Sequence, residues 1–394
     1  MPSELNGAFR RELEDGLRGL EARSQRRSLA EIAGVNLCSN DYLGLAEDAR
    51  LRAAVLDAVR EAPRVGGTGS RLLSGHLAVW DEIEQEFAEF AGTEAALYFG
   101  SGYAANVGVL TSLVKKSDVI FSDELNHASL IDGIRLSGAR KVIYAHLDLN
   151  ALERALREYA GAGGRKFVVT ETVFSMDGDV VPLREMVALC ERFGAAVIVD
   201  EAHATAVHGP SGRGISVEAG VARGCSVIAA IHTCGKALAS AGAFVCGSAA
   251  LREHLINHAR TLIFSTAMPP YMAGQIRAAL RMALGMDARR AELLCGARGL
   301  AAGLRAQGYD TAGSSTQIVP VVVGGNEEAL AVAEYLQEQG FAVRAIRPPT
   351  VKPGRARLRF SITAAIAPRE LARLENSLGA WRAQRSALAA AGCA

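Results

Sequence analysis

Leu5, Phe9, Leu13, Leu17 and Leu20 recur at three- and four-residue spacing, so an amphipathic helix opens the chain. It precedes the first compact block and is expected to pack on a neighbouring domain or subunit. From "VNLCSNDYLGLA" onward, short β-rich runs alternate with periodic helical ones. That is the pattern of an open, mostly parallel sheet with helices on both faces. The clearest strands are "KVIYAHL", "KFVVTETVF", "AAVIVDEAH", "CSVIAAIHT" and "GAFVCGS". Between the second and third, "PLREMVALCERFG" reads as a helix, with proline near its start and Gly194 at its end. Near residues 275–295 the pattern turns long and helical, "GQIRAALRMALGMDARRAELLCGARGL". The strands "IVPVVVG", "FAVRAIRPP" and "RARLRFSI" and a final helix follow, and the Ala-rich end "SALAAAGCA" is expected to fray. The expected division is an N-terminal helix and lead-in over 1–35, a large α/β domain over 36–285 and a smaller α/β domain over 286–394. No internal repeat or low-complexity linker interrupts it.

Composition narrows the partners. Acidic and basic residues nearly cancel, 42 against 43, so nothing points to nucleic acid or to a polybasic membrane contact. A small anionic ligand needs only a local cluster. The seven cysteines, Cys38, Cys190, Cys225, Cys234, Cys246, Cys295 and Cys393, form no CxxC pair. Several sit in apolar runs, the usage of a reducing compartment. The N-terminus carries acids early and has no apolar core, unlike a signal peptide. No charge-free apolar run is long enough to span a bilayer, and the penultimate Cys393 is misplaced for prenylation. The expectation is a soluble cytoplasmic protein with no nucleic-acid or membrane partner.

The chemistry lies where parallel strands end, because ligands bind at the C-terminal edge of such sheets. "AAVIVDEAH" ends in Asp200 and His203, "KFVVTETVF" leads to Ser175, and "CSVIAAIHT" leads to Thr233 and Lys236. Singly, each has a plainer reading. Asp200 suits a helix cap, His203 a hydrogen-bonded structural residue, Lys236 a solvated loop, and Ser175 and Thr233 turns. Together they fit pyridoxal phosphate, which needs a lysine amine and an acid that keeps its ring nitrogen protonated. Asp200 suits that nitrogen, and His203, three residues on, suits the phenolic oxygen. In "HTCGKALASAGAFV" the small residues around Lys236 leave room for a flat ring. "FGSGYAANVGVL" places Gly100 and Gly102 before a helix starting near Ala104, a phosphate-binding arrangement. Thr233 and Thr266 are hydroxyl candidates for the same phosphate. Other chemistry is unsupported. "HLINH" lacks the acid of HExxH, "GAGGRK" is no P-loop, no GxGxxG follows a strand, and "SMDGD" has no EF-hand continuation. No metal site is expected.

The segments "SNDYLGLA", "GTGSRLLSG", "SGYAAN", "DELNHASLIDG", "TETVFSMDGD", "VDEAHATAVHG", "TCGKALASAGAFV", "FSTAMPP" and "ARLRFSITA" occur in one order. In that order the chain resembles the α-oxoamine synthases, from about Asn36 to Ala364. The resemblance implies a fold-type-I pyridoxal phosphate transferase. It implies Lys236 as the Schiff-base lysine, Thr233 as a phosphate ligand, Asp200 on the ring nitrogen, His203 on the phenolic oxygen and His127 stacked on the ring. Ser175 would hydrogen-bond the cofactor, and Gly102 and Tyr103 would hold its phosphate end. Thr266 would reach the phosphate of a neighbouring subunit, in a homodimer with shared sites. Asn40 and Arg359 would hold the amino-acid carboxylate, and Thr350 would line the acyl side.

The motifs sit nearest to the family members that condense L-alanine with a pimeloyl thioester, of CoA or of acyl carrier protein, in biotin biosynthesis. Ser70 in "GTGSR" and the segment "FSTAMPP" carry that likeness. The implied chemistry has Lys236 remove the Cα proton, which needs a neutral amine, and His127 assist the acyl step. Rivals are a sibling synthase using glycine, serine or another acyl-CoA, such as a 2-amino-3-ketobutyrate ligase, and a fold-type-I aminotransferase. The segment between Arg27 and Asn36 is shorter than usual, which leaves open whether Arg26 or Arg27 meets the acyl donor. His232 and Cys234 have no role in the resemblance.

Overall fold

Runs such as "KFVVTE" and "AAVIVD" are apolar at nearly every position, which suits strands covered on both faces. A computed structural model describes residues 2–31, 33–224 and 226–391, with side chains from 6 to 387 within those ranges; Cys225 and Cys393 lie outside them. In chain order the strands are β1 (Val35–Asn36), β2 (Ala95–Phe99), β3 (Val119–Asp123), β4 (Arg140–Tyr144), β5 (Lys166–Glu171), β6 (Ala195–Asp200), β7 (Val227–Thr233) and β8 (Ala243–Gly247). After them come β9 (Ile318–Gly324), β10 (Phe341–Ala342), β11 (Ala345–Ile346) and β12 (Ala356–Ser361). Seven of them form one sheet in the order β2-β8-β7-β6-β5-β3-β4, in which β8 alone runs against its neighbours. The five strands read from the sequence are all in it; β2 and β3 complete it.

Successive side chains feed two separate cores, as the two-residue period of a strand requires. Val168, Val197, Val199 and Ala230 join Phe87, Met186 and Leu189 on one face. Phe167, Val169, Ile198 and Ile231 join Val109, Leu130 and Leu255 on the other. Helices Ala78–Ala91 and Leu183–Arg192 contribute to the first core, and Gly102–Leu113, Ala128–Ser137 and Ala249–His258 to the second. The shared direction of β3, β5, β6 and β7 brings Asp123, Glu171, Asp200 and Thr233 to one edge.

The remaining strands build a three-stranded antiparallel sheet, β11-β12-β9, and the parallel pair β1-β10. The long helical stretch breaks at Gly285 into Tyr271–Leu284 and Asp287–Ala306, which turns the chain towards this second sheet. The final helix, Pro368–Ala391, carries the Ala-rich stretch as far as Ala391, and the last three residues lie outside the described ones. The opening helix, Pro2–Ala22, leaves Phe9, Leu13 and Leu17 43–60% exposed. Its expected apolar stripe is therefore uncovered by the rest of this chain. Among the described residues no helix is long and apolar enough to cross a membrane. The five described cysteines are unpaired; Cys190, Cys234 and Cys246 are buried and Cys38 and Cys295 exposed.

Candidate active site

Lys236 hangs from the tight connection between β7 and β8. The Cys234 and Gly242 backbones bond across the start of that loop, and Ser240 N–H donates to the Cys234 carbonyl. Gly242 has φ +82°, and a Cβ there would meet the Tyr98 hydroxyl 2.1 Å away. The loop is thus folded tightly enough to turn Lys236 inward. Its Nζ stands 2.9 Å from His203 Nε2. Burial of the amine lowers its pKa from about 10.4 for the free side chain to about 8, against the pull of Asp200 and Glu171 and with a further push from Arg359. The amine therefore gives up its proton far more readily than an ordinary lysine.

The row of contacts continues through His203. Its Nδ1 lies 2.6 Å from the Tyr42 hydroxyl, which in turn donates to Asn40 Oδ1 at 3.1 Å. One assignment satisfies the whole row: Lys236 donates to Nε2, Nδ1–H donates to Tyr42, and Tyr42 donates to Asn40. This needs a neutral imidazole. Burial first, then the positive charges of Lys236 and Arg359, hold the His203 pKa well below its usual value.

Asp200 closes β6. Its Oδ1 accepts from Ala202 N–H at 2.8 Å and its Oδ2 from Asn106 Nδ2 at 2.7 Å. The same Asn106 amide donates to Ser129 Oγ at 2.9 Å, and Ser129 Oγ–H reaches His127 Nδ1 at 2.8 Å. One buried asparagine therefore ties Asp200 to His127, which caps the helix Ala128–Ser137 with its own ring.

Arg359, on β12, is only 8% exposed. It donates to the Ser175 carbonyl, to Asn40 Oδ1 at 3.0 Å, to Ser361 Oγ at 2.5 Å and weakly to Tyr42. Among the described residues no carboxylate pairs with it, although its neighbour Arg357 is bound to Asp177. A buried guanidinium without a counterion is costly, and its planar fork is suited to a carboxylate.

The helix expected near Ala104 begins two residues earlier, at Gly102, with Ser101 Oγ accepting from Ala104 N–H. A Cβ on Gly102 would lie 2.8 Å from Thr233 Oγ1. Bare backbone and a hydroxyl thus share one corner beside a helix N-terminus. Tyr103 is exposed and donates to Asp132. Thr266 lies apart from the cluster, on an exposed segment bridged to Ser70.

Thr350 stands in a separate cleft of about 790 Å³, lined by Leu125, Phe174, His146, Val351, Lys352 and Arg355 among others. Of the two N-terminal arginines, Arg27 reaches Pro348 O at 3.3 Å and Thr350 Oγ1 at 3.4 Å through its Nη2, whereas Arg26 turns to Glu21. In the cleft wall His146 bridges Asp123 at 2.8 Å and Asp179 at 2.6 Å. Burial alone would lower its pKa, but the two carboxylates outweigh burial and raise it to about 10. A raised pKa stabilises the folded state fully below the unfolded value of about 6.5 and ceases to do so as pH passes about 10. Thermal melts across this window should lose about 1–2 kcal/mol in the wild type, allowing for screening of the partly exposed ring, and His146→Gln should flatten the loss.

Several site residues carry no obvious sequence signal. Asn106 is one, a polar residue inside an otherwise apolar helical run, and Tyr42 and Ser129 are others. Glu171, one strand over from Asp200, is also missing from the sequence reading. His232 and Cys234 now have a place. His232 is buried edge-on against Phe87 and Phe90, bonded to Thr205 at 3.0 Å, and Cys234 is fully buried. Both pack beneath the site. The two acids of "SMDGD" pair with Arg357 and His146, and His254 and His258 stack on a helix and bond to backbone carbonyls.

The model of the aminotransferase class I and II family matches residues 32–378. The 8-amino-7-oxononanoate synthase of Geobacter sulfurreducens is 46% identical over 369 residues, 90% of this chain and 93% of that protein. Among solved structures, serine palmitoyltransferase of Sphingomonas wittichii superposes with a TM-score of 0.83 at 31% identity, covering 96% of each chain. The 8-amino-7-oxononanoate synthase of Francisella tularensis does so with a TM-score of 0.77 at 27% identity, covering 90% of this chain and 99% of the other. The residues present fit pyridoxal phosphate: a buried lysine of lowered pKa, a buried acid at the end of the neighbouring strand, a side-chain-free corner at Gly102, and an unpartnered Asn106 Oδ1 in the wall. The chain belongs to the aminotransferase class I and II family and, within it, to the α-oxoamine synthases, acyltransferases that work with pyridoxal phosphate.

Proposed function

We propose that this enzyme condenses L-alanine with a pimeloyl thioester, of CoA or of acyl carrier protein, to give 8-amino-7-oxononanoate, CO2 and the free thiol, a step of biotin biosynthesis. The observation that carries this reading is Arg359, a buried cation with no carboxylate partner among the described residues, facing the same cluster as a lysine amine of lowered pKa. The names of the relatives add the choice of substrates.

In this reading Arg359 and Asn40 hold the carboxylate of alanine, the arginine through its planar fork. Pyridoxal phosphate, when bound, supplies an electron sink for the carbon next to the amino group. Asp200 holds the ring nitrogen protonated, with Asn106 and the Ala202 amide fixing its carboxylate. His203 would serve the phenolic oxygen, while Gly102, Tyr103 and Thr233 would hold the phosphate end and Ser175 would hydrogen-bond the cofactor. Lys236 takes the Cα proton as a neutral amine and returns one after CO2 has left. His127, fixed by Ser129, covers the ring face and assists the acyl step. The acyl chain lies along the Thr350 cleft, whose apolar wall of Leu125, Phe174 and Val351 ends at Lys352 and Arg355. A short chain closing in a carboxylate suits that wall better than a long paraffin. Arg27, at Thr350, is the N-terminal arginine that meets the acyl donor.

The site is shared between two copies of the chain. Leu72, Leu73 and Phe264 are 50–85% exposed on the segments joined by the Ser70–Thr266 bridge, and the helix Pro2–Ala22 adds a second open apolar stripe. In this reading a second copy covers both, and Thr266 would reach the partner's phosphate. A division near residue 285 then separates the part that holds the cofactor from the part that brings Thr350 and Arg359. The unpaired thiols suit the cytoplasm.

The superposition on serine palmitoyltransferase makes a sibling synthase the second reading. A panel of alanine, glycine and serine against pimeloyl, acetyl and palmitoyl thioesters, scored by thiol release, separates them. Alanine with the pimeloyl donor should give the highest kcat/KM. A serine–palmitoyl optimum would favour the sibling, and a keto acid without thiol release would mark an aminotransferase. In the same assay Arg359→Lys should raise the KM for the amino acid about 10- to 100-fold, because an ammonium cannot reproduce the bidentate contact.

A further inference from the structure

Glu171 ends β5 directly beside Asp200, its register partner at the end of β6. Residues paired in this way project to the same face of a sheet, so two carboxyl groups share one buried floor. They are treated very differently. Asp200 accepts from Asn106 and from Ala202 N–H, the coordination of a carboxylate anion. Glu171 is 3% exposed, and its Oε1 is sealed from solvent with no hydrogen-bond partner. Two adjacent buried carboxyls cannot both carry charge without compensation. The compensating cations near this floor are Lys236, on the β7–β8 loop, and Arg359, on β12. Burial holds His203 towards its neutral form, and the His127 and Ser175 backbone N–H groups point towards Glu171, too little to offset its burial.

We propose that Glu171 is a positioning residue whose carboxyl keeps its proton beside Asp200, so that Asp200 alone holds the negative charge of the floor and no second anion there holds the proton on Lys236. This rests on the reading of Lys236 given above and extends it to a residue that never touches substrate. Burial, then the neighbouring Asp200, raises the Glu171 pKa to about 8, which meets the lowered value of Lys236. Below about pH 8 both keep their protons; once the first is lost, the pair exists either as neutral acid and neutral amine or as carboxylate and ammonium. The first form leaves Lys236 able to accept a proton. The second is stabilised only while Glu171 can ionise.

The test uses the full-length chain freed of cofactor and needs neither amino acid nor acyl donor. Infrared difference spectra of the wild type should show a protonated buried carboxyl at pH 7 that disappears as pH rises. Glu171→Gln should lack that band, which separates it from the buried Glu201. Selective acylation of Lys236, followed by peptide mass spectrometry, should show its midpoint in pH falling by about one unit in Glu171→Gln, because the anion that favours the ammonium is gone. Glu171→Ala, which also removes the anion, should shift the midpoint the same way, whereas a merely structural role would leave it unmoved. A wild type with no protonated carboxyl at pH 7, or a Lys236 midpoint unchanged in Glu171→Gln, would overturn the proposal. Failure here leaves the acyl-transfer reading standing, since the substrate panel decides that independently.

Discussion

Replacing Lys236 with alanine is expected to abolish turnover, with kcat falling at least about 10³- to 10⁴-fold, the usual contribution of a positioned general base or more. The change removes the one amine in the cluster and the hydrogen bond to His203 Nε2. The fold should survive, because the loop is held by backbone bonds between Cys234, Ser240 and Gly242 and by the buried Cys234, none of which involves the lysine side chain. Borohydride should fix the cofactor to the peptide carrying Lys236 in the wild type and to no peptide in the variant. A Lys236→Ala protein that keeps near-original activity would remove lysine from the account altogether.

The second large effect is expected at Asp200. Asparagine there is nearly isosteric, so the loss reports charge more than shape. We expect kcat to fall about 10²- to 10⁴-fold, with the cofactor still retained by Thr233 and the Gly102 corner. One local cost accompanies it. Asp200 accepts from both Ala202 N–H and Asn106 Nδ2, and an amide can accept only through its oxygen. One donor then faces an NH2 group, which also loosens Asn106 and, through Ser129, the His127 ring. Asn106→Ala separates the two effects. It removes the tether and leaves the carboxylate, so it should cost less than Asp200→Asn. Steady-state kinetics of both variants, with cofactor occupancy measured by absorbance, check this ordering.

The frame of the molecule was readable because its strands are apolar runs of the right length, and the parallel order places their ends on one edge. Asp200, His203, Thr233 and Lys236 meet there as their strand ends foretold. Asn40 and Arg359 lie more than three hundred residues apart, and only the resemblance to a family joined them before the structure showed them 3.0 Å apart. Asn106, Ser129 and Tyr42 could not be read in advance. Their importance comes from single side-chain hydrogen bonds across the fold, and a polar residue in a helix or turn has too many ordinary uses to stand out. Glu171 was hidden for the opposite reason. It sits at the end of a strand whose next residues, "TVFSMDGD", draw attention to Ser175. Its meaning depends on register with β6, which no periodicity reveals. The break at Gly285 shows the limit of helical patterning, since the apolar spacing continues across a turn where the backbone does not.

The central claim is the pairing of an amino-acid carboxylate at Arg359 with an acyl chain in the Thr350 cleft. Mass spectrometry of the product from alanine and pimeloyl-CoA, with [1-13C]alanine in a parallel reaction, tests it most directly. The expected product is an amino ketone of the mass of 8-amino-7-oxononanoate, with the label lost entirely as CO2. A product that retains the carboxyl label, or no carbon–carbon condensation product from this pair, would contradict it.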